Sequence, residues 1–94
     1  MDLLPDNEID SRLARLDGWQ RDGGSIVKEF KLADFVGSVA FVDKLVEPAE
    51  EMGHHPDLTL SWDTVRVSLA THSAGGLTEN DFELARRIDE LASD

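Results

Sequence analysis

Asp57-Leu58-Thr59-Leu60-Ser61-Trp62-Asp63-Thr64-Val65-Arg66-Val67-Ser68-Leu69 is the stretch on which the fold turns. Leu58 and Leu60 alternate with polar neighbours, and Val65, Val67 and Leu69 alternate with Arg66 and Ser68. A period of two places one set of side chains on a buried face and the other on a solvated one, so both halves read as strands. They are joined by a tight turn at Trp62-Asp63, which makes the stretch a β-hairpin.

Upstream, Gly53-His54-His55-Pro56 interrupts the pattern. Before it, Ala33 to Met52 carries Phe35, Val36, Val39, Val42, Leu45, Val46, Ala49 and Met52 on one side, a long amphipathic helix. Pro48 removes the amide that would bond to the carbonyl of Lys44 and biases Glu47 away from helical angles, which predicts a kink or an early end. Further back, Trp19-Gln20-Arg21 and Ser25 to Lys31 flank Asp22-Gly23-Gly24, a second hairpin. Ahead of that, Ile9, Leu13 and Leu16 recur at helical spacing between Pro5 and Leu16, with Asp6, Glu8 and Asp10 at the end where the helix dipole favours acids and Gly18 as a stop. Downstream, Gly75-Gly76 ends the strand region, and Thr78 begins a segment in which Phe82, Ala85, Ile88 and Ala92 trace a helical face.

The order is therefore α-β-β-α-β-β-α, and no repeat or linker divides residues 1–94. It predicts a single α+β domain, a four-stranded antiparallel sheet with three helices packed on one face. A chain of 94 residues buries only about two thirds of the surface its unfolded form exposes, so association of subunits is expected to supplement a thin core.

Composition excludes several functions. There is no cysteine, hence no disulfide framework, thiolate zinc site or cysteine nucleophile. Twenty acidic residues against nine basic ones give a formal charge of −11, which argues against direct nucleic-acid binding. The opening residues carry no basic segment followed by an apolar run, and 18 apolar residues nowhere occur together, so a soluble cytoplasmic protein with no membrane attachment is expected.

Chemistry points to the histidines. His54 and His55 share one Gly/Pro-bounded turn, and His72 follows the last strand, so all three are placed to converge at one end of the sheet. Imidazoles titrate near neutrality, and a cluster can hold one ring as acid and another as base. The plainer reading is a solvated His-His-Pro turn with His72 ending a strand. A zinc site from the three imidazoles and Glu50 is disfavoured, because no zinc-type spacing is present and adjacent ligands rarely fit one tetrahedron. Asp81 reads as the acid of a capping box begun by Thr78. Glu50 reads as a surface acid unless the Pro48 kink turns it toward the histidines. Trp19 and Trp62 read first as packing residues.

Ala49-Glu50, His54-His55-Pro56, Trp62, Thr71-His72 and Gly75-Gly76-Leu77-Thr78 with Asp81, together with Gly18-Trp19 and the closing helix through Ile88-Asp89, resemble the pterin-4a-carbinolamine dehydratases over nearly the whole chain. The resemblance implies loss of water from a 4a-hydroxytetrahydropterin to give the quinonoid dihydropterin, with no bound cofactor and no metal. It makes His54, His55 and His72 the catalytic groups, with Glu50 and Asp81 as supporting carboxylates. Pterin contacts are then expected from His54, His55, Pro56, Thr71, His72, Ser73 and Trp19, and a homodimer or homotetramer is expected. Some relatives also serve as dimerisation cofactors of a homeodomain transcription factor, and pterin chemistry also occurs in molybdenum-cofactor metabolism. Those supply two alternatives, a protein-binding module and a pterin-binding protein of that second pathway. The chain departs from the pattern at Gly53, where an Asn is usual, and at Pro48.

Overall fold

The computed structural model describes residues 2–93. Its helices are α1 (Asp6–Leu13), α2 (Phe35–Lys44), α3 (Val46–Met52) and α4 (Glu79–Ala92), and its strands are β1 (Gln20–Asp22), β2 (Ser25–Lys31), β3 (Asp57–Ser61) and β4 (Thr64–Leu69). The four strands form one antiparallel sheet in the order β1-β2-β4-β3.

The alternation read from the sequence sets which face is buried. Ile26 pairs with Leu69 and Phe30 with Val65, while Leu58 pairs with Val67 and Leu60 with Val65, so these residues share one face. Ile26, Phe30, Val65, Val67 and Leu69 join Ile9 of α1, Phe41 of α2 and Phe82, Leu84, Ala85 and Ile88 of α4 in a single core. Burying an aliphatic or aromatic side chain fully contributes about 1.5–3 kcal/mol, so this one-sided layer is the main source of stability. Glu29, Arg66, Ser68 and Thr59 occupy the other face, which is not buried.

The helix expected over residues 33–52 is divided at Leu45 into α2 and α3. Leu45 keeps right-handed backbone angles, and its amide bonds to Val42 at i−3 rather than i−4. The break falls one turn before Pro48 because the proline ring crowds the carbonyl of Lys44 and offers it no amide. The i−4 bonding resumes with Ala49 to Leu45, and the two segments remain one bent unit of the helical layer. At the edges the differences are small. Asp22 belongs to β1 and the turn is Gly23-Gly24, and α1 ends at Leu13 with i−3 bonds carrying the chain through Leu16.

The β3–β4 hairpin turns at Trp62-Asp63, with Ser61 paired to Thr64. Trp62 has φ +51°, unusual for a bulky residue, and its ring is 68% exposed rather than packed in the core. Asp63 beside it is buried, and its carboxylate accepts from Lys31 Nζ at 2.8 Å and Thr64 Oγ1 at 3.1 Å. The bond from Lys31, more than any other contact, holds the Asp63 carboxyl below its ordinary value of 3.8. A lowered folded-state pKa contributes stability that is present above 3.8 and is lost as pH falls through the folded value. Asp63→Asn is therefore expected to lower the urea midpoint at neutral pH, with the gap from wild type narrowing as the pH falls below 3.8. A gap of constant size across that range would refute this origin for the stability.

Candidate active site

The end of α3 is built to present two adjacent histidines. Gly53 adopts φ +59° and ψ 33°, its amide bonds to the Glu50 carbonyl at 3.2 Å, and the His54 amide reaches back to the Ala49 carbonyl at 3.0 Å. This pair of bonds is a Schellman closure, which needs a left-handed residue at Gly53. Glycine and asparagine are the residues that adopt that conformation most readily, so the departure at Gly53 preserves the turn rather than loosening it.

The closure sends the two imidazoles to different partners. His54 turns inward, its side chain 11% exposed, and places Nε2 at 2.6 Å from Asp81 Oδ1 on α4. His55 turns outward and places Nε2 at 2.5 Å from Glu50 Oε2, both side chains being well exposed. Glu50 thus faces a histidine, and the Pro48 break leaves it within reach.

On the opposing strand, the residues after β4 make a tight loop. Thr71 bridges Gly76 through backbone bonds of 2.9 and 3.3 Å, and a 3-10 turn over His72–Ala74 ends at Gly75 with φ +79°. The loop holds His72 and Ser73 out in solvent. His72 Nε2 lies 3.7 Å from Asp57 Oδ2, an ion-pair distance once the ring is protonated. Asp57 opens β3 and pairs with Ser68 of β4, so the sheet register itself brings the two chain segments together. Sequence reasoning did not single out Asp57; its place directly after His54-His55-Pro56 was the available signal.

Each of the three imidazoles therefore has its own carboxylate on the Nε2 side: Asp81 for His54, Glu50 for His55 and Asp57 for His72. Among the described residues, no three His, Asp or Glu side chains gather as a metal-binding group. His55, Glu50 and Pro56 line a hollow of about 200 Å³ whose other walls, Val42, Leu45, Val46, Ala49 and Leu58, are apolar. His72 lines another of about 280 Å³ with Gly24, Ser25, Ala70, Gly75 and Gly76. An apolar wall beside an imidazole–carboxylate pair has the character of a small-molecule site.

Asp81 is fully buried and collects several donors: Thr71 Oγ1 at 2.9 Å and the Thr78 amide at 2.9 Å meet at Oδ2, opposite the His54 contact on Oδ1. The capping box expected at Thr78 is present, and the same acid serves both the helix start and the imidazole. Trp19 is not brought to the site. It is 5% exposed, packs edge-on against Phe30 at 6.1 Å, and its indole nitrogen donates to both carboxylate oxygens of Asp89 at 3.1 and 3.0 Å. Asp89 lies eight residues beyond Asp81 on α4, about 12 Å along the axis.

Comparison with known proteins gives the family and the fold. Residues 2–91 match the family model described as pterin 4 alpha carbinolamine dehydratase. A relative from Thermosynechococcus vestitus named for pterin-4-alpha-carbinolamine dehydratase is 49% identical over 90% of this chain and 90% of its own. One from Roseiflexus castenholzii with the same name is 51% identical over 95% of this chain and 96% of its own. Among solved structures, the transcriptional coactivator/pterin dehydratase from Brucella melitensis superposes with a TM-score of 0.91 at 36% identity, covering 95% of this chain and 97% of that one. A pterin dehydratase-like protein described as a RuBisCO assembly factor in the alpha-carboxysome superposes with a TM-score of 0.65 at 27% identity, covering 81% of this chain and 88% of that one. With the family model matching residues 2–91 and relatives about half identical over nine tenths or more of the chain, the chain belongs to the pterin-4a-carbinolamine dehydratase family.

Proposed function

We propose that this protein dehydrates a 4a-hydroxytetrahydropterin to the quinonoid dihydropterin by histidine acid–base catalysis, as a step in tetrahydropterin recycling. The observation that carries the reading is the set of three imidazoles at one end of the sheet, each with a carboxylate partner. In the reaction the bond from C4a to the hydroxyl oxygen breaks, and an imidazolium supplies the proton with which it leaves as water. A neutral imidazole takes the proton from the ring nitrogen as the carbon–nitrogen double bond forms. One proton is given and one is taken, so the step is redox-neutral and calls for no cofactor. A carboxylate behind an imidazole stabilises its charged form and orients the ring, which is the role of Glu50, Asp57 and Asp81 in this reading. Pro56, Thr71 and Ser73 border the imidazoles and belong to the pterin-binding surface.

The test is an absorbance time course of freshly generated 4a-hydroxytetrahydropterin with and without the protein, the spontaneous reaction serving as its own baseline. Acceleration is expected. No acceleration by the folded protein would overturn the assignment and favour a binding role, for which the assembly-factor relative is the precedent.

The family reading also includes a homodimer or homotetramer. Phe35, Val36, Val39 and Val46 stand 54, 75, 46 and 54% exposed along α2 and the start of α3, an apolar strip that another subunit would cover. Sedimentation across a concentration series is expected to give a species larger than 10.4 kDa, and a monomer throughout would remove this part of the reading.

A further inference from the structure

We propose that Thr71 is a positioning residue which, with Thr78, locks Asp81 so that the carboxylate takes the Nε2 proton of His54, leaving Nδ1 as the atom through which His54 exchanges protons. The catalytic half of this rests on the dehydratase reading above, whereas the tautomer does not.

The hydrogen-bond directions follow from what each atom has to give. Asp81 Oδ2 accepts from Thr71 Oγ1 at 2.9 Å and from the Thr78 amide at 2.9 Å. A hydroxyl has one proton, so the Thr71 oxygen, 2.8 Å from Thr78 Oγ1, is the acceptor in that contact and Thr78 is the donor. Thr78 Oγ1 in turn receives the Asp81 amide in the capping box. The ring closes on itself: Asp81 amide to Thr78, Thr78 to Thr71, Thr71 to the Asp81 carboxylate. Thr78 and Asp81 are fully buried and Thr71 nearly so, so water does not compete for these bonds.

With both donors fixed on Oδ2, Oδ1 is held toward His54 Nε2 at 2.6 Å as an acceptor. A neutral imidazole carries one proton, so Nδ1 is then bare. Among the described residues no donor or acceptor meets Nδ1 and no buried side-chain nitrogen or oxygen lacks a partner, so Nδ1 is not sealed from solvent. Thr71 is thus tied to the imidazole through Asp81, and the loop carrying His72 is tied to the turn carrying His54 by one hydroxyl.

The test is nitrogen-15 NMR of the labelled protein, with long-range ring correlations reading the His54 tautomer at a pH where the ring is neutral, alongside dehydration kinetics. Wild type is expected to show the proton on Nε2. Thr71→Val, close to isosteric, is expected to show a mixture of tautomers and a kcat lowered about 10–100-fold, and Thr71→Ser is expected to restore both. Asp81→Asn supplies a variant whose reading is independent of Thr71→Val folding. Its amide oxygen keeps the Thr71 and Thr78 donors and turns the NH₂ toward His54, so the proton should move to Nδ1. A Thr71→Val protein with the proton still wholly on Nε2, an unchanged kcat in that variant of an active enzyme, or an Asp81→Asn protein with the wild-type tautomer would each overturn the proposal. Failure of the dehydratase reading shows separately, as a wild type of the expected tautomer that accelerates nothing.

Discussion

His55→Ala and His72→Ala are each expected to lower the turnover of 4a-hydroxytetrahydropterin about 10²–10⁴-fold, the usual contribution of a general acid or base. The structure makes this a clean measurement. The two imidazoles are 63 and 80% exposed, and their carboxylate partners Glu50 and Asp57 are 68 and 78% exposed. Exposed pairs of this kind contribute about 0–1 kcal/mol, so removing either ring leaves the core as it was and the unfolding midpoint close to wild type. Lost activity in these variants therefore reports chemistry and not folding. Turnover unchanged in both, measured on protein with a wild-type melting profile, would remove His55 and His72 from the mechanism. Glu50→Gln and Asp57→Asn keep the shape of each pair and remove its charge, and a smaller loss is expected for them than for the histidine variants.

Asp81→Ala is expected to destabilise the fold by about 3–5 kcal/mol, the size seen when a buried charged partner is deleted and its donors are left without an acceptor. Three donors lose their oxygen at once: the Thr71 hydroxyl, the Thr78 amide and His54 Nε2. The capping box loses its carboxylate half in the same change and keeps only the bond from the Asp81 position's amide to the Thr78 hydroxyl, because the acid that answers Thr78 is the one that holds His54. A domain of this size has about 5–15 kcal/mol to lose, so the variant should lie much closer to the unfolding threshold than wild type. Urea titration of Asp81→Ala against wild type measures the difference, and a loss below about 1 kcal/mol would show that the network is not the buried anchor its geometry describes.

These two expectations differ in kind because the site has two layers. His55, His72, Glu50 and Asp57 sit on the outside, free to act and cheap to change, whereas His54 is joined to the core through Asp81, Thr71 and Thr78. The exposed pairs are thereby mounted on elements whose stability does not depend on them, whereas the His54 imidazole is fixed to the core.

Most of the fold was legible because it is written in local periods. Alternation in Leu58 to Leu69, the Gly23-Gly24 turn, and the helical spacing of Phe82, Ala85 and Ile88 each state a local geometry, and the sheet register follows once the hydrophobic sets must share one face. Pro48 announced a break, although its position at Leu45 depended on which carbonyl the ring met. Of the site, the three histidines, Glu50, Asp81 and the capping box were legible as residues with the right chemistry at suggestive places. Trp19 illustrates the limit: its type favours packing but also suits a pocket wall, and packing against Phe30 with the bond to Asp89 places it in the core.

What the sequence by itself determined is the order of elements, the buried face of the sheet and the residue types that could move protons, since all of these are properties of neighbours along the chain. The tertiary structure alone decided which carboxylate serves which imidazole. Asp57 meets His72 because β3 and β4 run antiparallel in one register, and Asp81 meets His54 because the left-handed turn at Gly53 aims that ring at the start of α4. Pairings between segments 15 and 27 residues apart are set by how layers pack, and no local pattern in the chain records them.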